Sequence, residues 1–419
     1  MKPVSEAEGF LLGHFFISMQ KKMKSKTHLT EPQGKLENWL DTEREALEQA
    51  GLKRHLRTVV SAPTGTINLD GRNVVLLGSN NYLGLSTHPK VIAAAVEATQ
   101  TFGTGASGSR LMSGNNELYT TLETNLAKVK GTEAALVFGS GYAANTSIIP
   151  VLAGEGDLVL SDALNHASII DGCRLSRATK KVYRHCDMEH LRLLLSESTT
   201  FRRRLIVTDG VFSMDGDIAP LPDICDLAAE HEAMVLIDDA HGFGVLGEDG
   251  SGTVAHFGLE AEAIIQMGTF SKAVGALGGY IAGSHTLIEL LINRARGFIF
   301  TTGLPPATLA AANAALDVMC SSPHLRQRLF SHAECLKKAL IDLGYTLLPS
   351  KTQILAVVLG SPQRATSVAE ALLAEGVFAP AIRPPAVPPN TSRLRLTVMA
   401  THTEAEIQQA ITGFAAILP

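Results

Sequence analysis

From residue 130 onward, short apolar runs alternate with helical patterns, and Ala134–Phe138, Leu158–Leu160, Leu205–Thr208, Met234–Ile237, Ile264–Met267 and Tyr280–Ala282 read as strands. Runs that stay apolar on both faces, with helical stretches between them, predict a mostly parallel sheet covered on both sides. Upstream, Leu36–Gly51 sets apolar side chains at helical spacing among charges and stops on a glycine, Arg72–Leu77 reads as a strand and His88–Thr101 as a helix. After Gly303-Leu304-Pro305-Pro306 come two helical stretches (Thr308–Ser321 and Pro323–Gly344), then strands at Ile354–Val358 and Arg393–Val398 and a closing helix over Thr403–Phe414. The pattern predicts an α/β protein with an N-terminal arm over 31–75, a large domain over 76–303 and a smaller α+β domain over 304–419.

The segment Gly9–Met19 is apolar but too short to cross a bilayer, contains His14, and has acids before it and lysines after it. Met19 and Met23 are alternative starts, and residues 1–30 are expected to be a disordered extension that does not pack.

Composition narrows the partners. A net charge of −5 without any block of like charge gives no footprint for nucleic acid or membrane and favours small molecules. Five scattered cysteines without a CxxC pair fit a reducing compartment, so the expected location is the cytoplasm.

Several stretches carry candidate chemistry, each with a plainer reading beside it. Lys272 sits among small uncharged residues in GTFSKAVGALGG; it is either a surface lysine on a glycine-rich loop or a poorly solvated amine able to form a Schiff base. Gly103–Gly108 is a literal GxGxxG, but a helical stretch precedes it and no acidic residue closes a second strand about twenty positions on, which argues against a nicotinamide site. FGSGYAAN, Phe138–Asn145, follows a strand and opens a helix, as a phosphate cradle or an ordinary βα turn would. Asp238-Asp239-Ala240-His241 ends another strand and admits a capping turn, a metal site, or a carboxylate holding a pyridinium N–H. A metal would want further ligands, and the other cluster, His185–His190, looks like a loop and helix start, so metal ranks third and none is expected. His166 opens a helix as a surface residue or a ring that stacks on a cofactor, and Arg383 and Arg393-Leu394-Arg395 offer guanidinium groups to a carboxylate.

Taken together, NNYLGL, GTGASGSRLMSG, FGSGYAAN, SDALNHASIIDG, VTDGVFSMDGDIAPL, IDDAHGFGVLG, GTFSKAVGALGGYIAG and FTTGLPP closely resemble, in order, the motifs of the α-oxoamine synthases. The resemblance runs from about Leu36 to the C-terminus. It implies the pyridoxal-phosphate-dependent, aspartate-aminotransferase-like fold (fold type I) with pyridoxal 5'-phosphate (PLP) as cofactor. By that resemblance Lys272 is the Schiff-base lysine and proton shuttle, Asp238 holds the pyridine nitrogen protonated, His166 stacks on the ring, and His241 and Ser213 reach the phenolic oxygen or the substrate. Ser140, Gly141, Tyr142 and Thr269 would bind phosphate, and Thr301 and Thr302 would come from the second subunit of a homodimer with a shared site. Asn80 and Arg395 would take the amino-acid carboxylate, and Arg54 and Arg383 the end of an acyl chain.

Within that family, AIRPPAVP and TSRLRLT (Ala381–Pro388 and Thr391–Thr397) are similar to the branch that joins L-alanine to a pimeloyl thioester, carried by CoA or by acyl-carrier protein, in biotin synthesis. Two departures stand out: Ala386 replaces a usual threonine in the substrate pocket, and Tyr119 stands where a histidine is common. Branches using glycine with acetyl-CoA, or serine with a palmitoyl thioester, would keep the same cofactor residues. A non-catalytic descendant of the fold would be expected to have lost Lys272 or Asp238, and both are present.

Overall fold

The computed structural model describes residues 31–418, so the expected extension over 1–30 lies outside the described residues. The chain forms two compact units, one ending at Leu56 and one running from Arg57 to the C-terminus. In the first, the expected amphipathic helix spans Glu31–Gln49.

The second unit opens with strands β1 (Thr66–Leu69) and β2 (Arg72–Leu76), an antiparallel pair. The large sheet then contains β3 (Ala134–Phe138), β4 (Leu158–Asp162), β5 (Thr179–Tyr183), β6 (Arg204–Asp209), β7 (Met234–Asp238), β8 (Ile265–Thr269) and β9 (Gly279–Gly283), in the order β3-β9-β8-β7-β6-β4-β5. Strands β8, β7, β6, β4 and β5 run parallel, whereas β9 is antiparallel to both of its neighbours. The expected strands are therefore present, and the sheet is mostly parallel. Side chains alternate between the faces: Leu205 and Val207 pack with the helix Gly141–Leu152, while Ile206 packs on the other side with Tyr183, Leu191 and Leu195. Burial on both faces is why these strands read as unbroken apolar runs.

Strand β5 was not visible in that pattern. It is one of the two edge strands, with Thr179, Lys180 and Val182 exposed and Tyr183 buried, and lysines on an edge discourage pairing with a further strand.

The rest of the unit holds β10 (Ile354–Gly360), β11 (Val377–Phe378), β12 (Ala381–Ile382) and β13 (Ser392–Thr397). Strand β11 joins β2, and β10, β13 and β12 form a separate antiparallel sheet. The backbone N–H of Thr397 donates to the carbonyl of Leu77 at 2.9 Å. This bond holds the exit of β2, and with it Asn80 and Tyr82, beside the strand that carries Arg395. The C-terminal ends of β3, β4, β6, β7 and β8 share one edge of the large sheet, the edge on which open α/β sheets build sites.

Candidate active site

At that edge lies a cavity of about 210 Å³ lined by Ser140, Gly141, His166, Asp238, Thr269 and Lys272 among others. One wall is a helix start. Ser140 caps the helix Gly141–Leu152, its Oγ accepting from the N–H of Ala143 at 3.1 Å, which leaves the first N–H groups and the positive end of the helix dipole facing the cavity. The wall admits no side chain at Gly279, where a Cβ would lie 2.4 Å from the carbonyl oxygen of Ser140, and space is tight at Gly141, where a Cβ would lie 3.1 Å from the end of Met267. The hydroxyls of Thr269 and Ser271, 3.0 Å apart, complete this polar end. Tyr142 is exposed beside it, and its hydroxyl donates to Asp171.

Asp238 ends β7 and is buried. Its Oδ2 accepts from Asn145 Nδ2 at 2.7 Å and its Oδ1 from the N–H of Ala240 at 3.0 Å. The same Asn145 amide reaches Ser168 Oγ at 2.9 Å, and Ser168 Oγ lies 2.8 Å from His166 Nδ1. The ring of His166 is thereby anchored, and burial lowers its pKa, with Lys272 adding to the shift and Asp238 opposing it.

Lys272 leaves the loop after β8 and reaches the same cavity. Desolvation pulls its ammonium down to about 8, against the pull of Asp238 and, once ionised, Asp209. An amine with that pKa is free-base often enough near neutrality to attack a carbonyl carbon or take up a proton.

A second cluster adjoins these groups. His241 Nδ1 and the hydroxyl of Tyr82 lie 2.7 Å apart, and Arg395 Nη2 donates to that hydroxyl at 3.2 Å. Both terminal nitrogens of Arg395 donate to Asn80 Oδ1 at 3.2 Å, and its Nε donates to the carbonyl of Ser213. Burial, reinforced by Lys272 and Arg395, holds the pKa of His241 well below the usual histidine range, so its ring is neutral. The structure thus brings Asn80, His241, Arg395 and the backbone of Ser213 together. Reading the sequence missed Tyr82, Asn145, Asp209 and Ser168, although all four fall inside motifs quoted for the family resemblance.

Other expected site residues lie elsewhere. Thr301 and Thr302, expected to serve the site of a second subunit, are exposed and do not line this chain's own cavity; Thr302 pairs with Ser109. Ala386 lines a separate cavity of about 440 Å³ together with Leu164, Asn165, Phe212 and Met214, and Arg383 precedes that segment just beyond β12. Arg54 is exposed within the N-terminal unit. The GxGxxG segment is a loop after the helix Pro89–Phe102, and the carbonyl of Gly108 accepts from the N–H of Gly303 at 3.0 Å.

Of the His185–His190 segment, His185 and Cys186 join Asp162 in a cluster with metal-ligand groups. There Asp162 and Asp217 bracket the His185 ring at 2.9 and 2.8 Å. Against the effect of burial, those hydrogen bonds push its pKa to about 12, which favours the imidazolium form between the two carboxylates.

The donor set fits PLP. A desolvated amine suits the aldehyde, a buried carboxylate the ring nitrogen, an imidazole a ring face, and a helix start with two hydroxyls the phosphate. Residues 72–414 match the family model described as aminotransferase class I and II. The 8-amino-7-oxononanoate synthase of Geobacter sulfurreducens is 52% identical over 378 residues, covering 90% of this chain and 96% of that one. The 8-amino-7-oxononanoate synthase 2 of Bacillus subtilis is 47% identical over 91% of this chain and 98% of its own. Among solved structures, a serine palmitoyltransferase from S. paucimobilis with bound PLP and myriocin superposes with a TM-score of 0.86 at 37% identity, covering 90% of this chain and 96% of that one. The chain belongs to the aminotransferase class I and II family of PLP-dependent fold type I enzymes and, within it, to the α-oxoamine synthases.

Proposed function

We propose that the protein condenses L-alanine with a pimeloyl thioester of CoA or acyl-carrier protein, releasing 8-amino-7-oxononanoate, CO2 and the free thiol carrier, as a cytoplasmic homodimer in biotin synthesis. The carrying observation is the cavity that gathers Lys272, Asp238, His166 and the start of the helix Gly141–Leu152. The choice of substrates is supported by the 52% identity to the G. sulfurreducens synthase, against 37% for the serine palmitoyltransferase. The proposal keeps the expected domains: an arm over 31–75, a large domain over 76–303 and a small one over 304–419. Among the described residues no helix is long and apolar enough to cross a membrane.

When bound, PLP supplies a ring that withdraws electrons from the α-carbon of the amino acid. Asp238, buried and served by two donors, stabilises a positive N–H on that ring. Lys272 Nζ moves the proton at the substrate α-carbon, a task suited to an amine whose pKa is about 8. Arg395, already pointed by Asn80 and Ser213, grips the amino-acid carboxylate and orients the bond that breaks on loss of CO2. His166 would stack on the ring and meet the substrate, while His241 and Ser213 would serve the phenolic oxygen or the substrate. Ser140, Gly141, Tyr142 and Thr269 would hold the phosphate, Thr301 and Thr302 of a second copy would complete the site, and Arg383 and Ala386 would shape the acyl end.

A serine palmitoyltransferase reading has its own support in the 0.86 superposition. The test is thiol release with alanine, glycine and serine, each offered pimeloyl, acetyl and palmitoyl thioesters of CoA and of acyl-carrier protein. Alanine with a pimeloyl thioester is expected to be the best pair. A preference for serine with palmitoyl, or glycine with acetyl, would overturn the proposal.

A further inference from the structure

Strands β6 and β7 end in a pair of acids. Asp209 and Asp238 are register partners, and the N–H of Gly210 donates to the carbonyl of Asp238 at 2.7 Å. Both carboxyl groups are buried and both line the cavity that holds Lys272. Two adjacent carboxyls out of water do not both ionise unless donors and cations compensate each of them. The compensation is unequal. Asp238 receives Asn145 Nδ2 and the N–H of Ala240, whereas Asp209 receives the N–H of His166 at 2.7 Å. Lys272 offers one positive charge to the cavity, and the ring of His166 is biased toward neutrality.

We propose that Asp209 is a positioning residue for His166 and fills that role as a neutral carboxylic acid. Its Oδ2 takes the backbone N–H of His166, while the side chain of the preceding Asn165 reaches back, its Oδ1 accepting from the N–H of Asp209 at 2.8 Å. The Asn165 amide nitrogen donates to the carbonyl of Val207 and to Ser161 Oγ, at 2.8 and 2.9 Å. These bonds fix the backbone at 165–166 on the ends of β4 and β6, and Ser168 fixes the rotation of the ring. A neutral acid accepts the N–H of His166 without adding a second negative charge beside Asp238. Burial and the charges of Asp238 and Asp162 favour that protonated form, while the His166 N–H and Lys272 oppose it.

The inference rests on the cavity and not on which thioester reacts, so the substrate panel and the following test fail independently. The probes are the full-length protein without cofactor, and PLP alone, with Asp209→Asn as an isosteric neutral acceptor and Asp209→Ala as its removal. At pH 7 the infrared spectrum is expected to contain a protonated-carboxyl C=O band that Asp209→Asn removes. Asp209→Asn is expected to bind PLP within about twofold of the unsubstituted protein, and Asp209→Ala to bind about tenfold more weakly and to shift the His166 ring resonances, since one hydrogen bond to the ring's anchor is gone. Absence of the band overturns the neutral-acid assignment. Equal loss of PLP affinity in both variants, or none in Asp209→Ala, overturns the positioning role. Should Asp209→Ala fail to fold, the infrared band and the affinity of Asp209→Asn decide.

Discussion

The amide nitrogen of Asn145 lies 2.7 Å from Oδ2 of Asp238, across 93 positions of sequence. One residue comes from the helix whose start forms the polar end of the cavity and the other from the tip of the neighbouring sheet, so the two ends of the cavity are fastened to each other directly.

Asn145→Ala removes a donor to a buried carboxylate. A hydrogen bond to a charged group contributes about 1.5–3 kcal/mol, so PLP affinity is expected to fall about 10- to 100-fold. Fluorescence titration with PLP checks this, with circular dichroism confirming the fold. Unchanged affinity would show that Asp238 does not depend on the amide.

Tyr82→Phe deletes the hydroxyl shared by His241 and Arg395 while keeping the buried ring. The KM for the amino acid is expected to rise about tenfold with a smaller change in kcat, because the guanidinium loses one of the contacts that aim it. Steady-state kinetics with the amino acid varied separates this from a general loss of fold, which would lower the active fraction and leave KM alone.

Lys130 and Asp239 form a fully buried ion pair at 2.8 Å beneath the His241 loop, and Asp239 also accepts from Thr253. Lys130→Met leaves the carboxylate buried and unpaired, a change that costs about 3–5 kcal/mol. A large drop in Tm is expected, and the double variant Lys130→Met with Asp239→Asn is expected to recover part of it. Thermal melts of the three proteins decide; a single variant as stable as the parent would mean that Asp239 is not charged in the fold.

Burial lowers the pKa of His402 from 6.5 to about 4, with its Nδ1 accepting from the N–H of Met399 at 2.9 Å. A folded-state pKa below the unfolded one means that below pH 6.5 the unfolded chain takes a proton the native ring refuses. The native state is therefore expected to weaken as pH falls from 6.5 toward 4, by roughly 3 kcal/mol at the lower limit from this residue. His241 pulls in the same direction. His185, raised to about 12, has the opposite sign: its contribution is complete below pH 6.5 and is lost as pH rises toward 12. Urea unfolding of the parent and His402→Asn at pH 7 and pH 4.5 tests the first effect; equal pH dependence in the two proteins would refute it.

Reading the sequence found the residues whose signal is local. Lys272, Asp238 and Ser140 each follow an apolar run within a few positions, and the run itself marks the end of a strand. The groups that orient them carry no such mark. Tyr82 and Arg395 meet across 313 positions, and an asparagine inside a helix, such as Asn145, has the same local pattern whether or not an acid faces it. The direction of β9 was likewise hidden, because an apolar strand of a buried sheet reads alike in either sense.

That direction matters for Lys272. Because β9 returns antiparallel to β8, the segment between them is closed at both ends: Thr269 pairs with Gly279, and the N–H of Phe270 donates to the carbonyl of Gly278 at 3.0 Å. Inside it the carbonyls of Lys272 and Phe270 accept from Gly275 and Ala276, both at 2.9 Å. Moving the backbone of this lysine would mean unzipping the middle of the sheet, so in the proposed Schiff-base role only its four methylene groups would need to swing to deliver the amine and withdraw it.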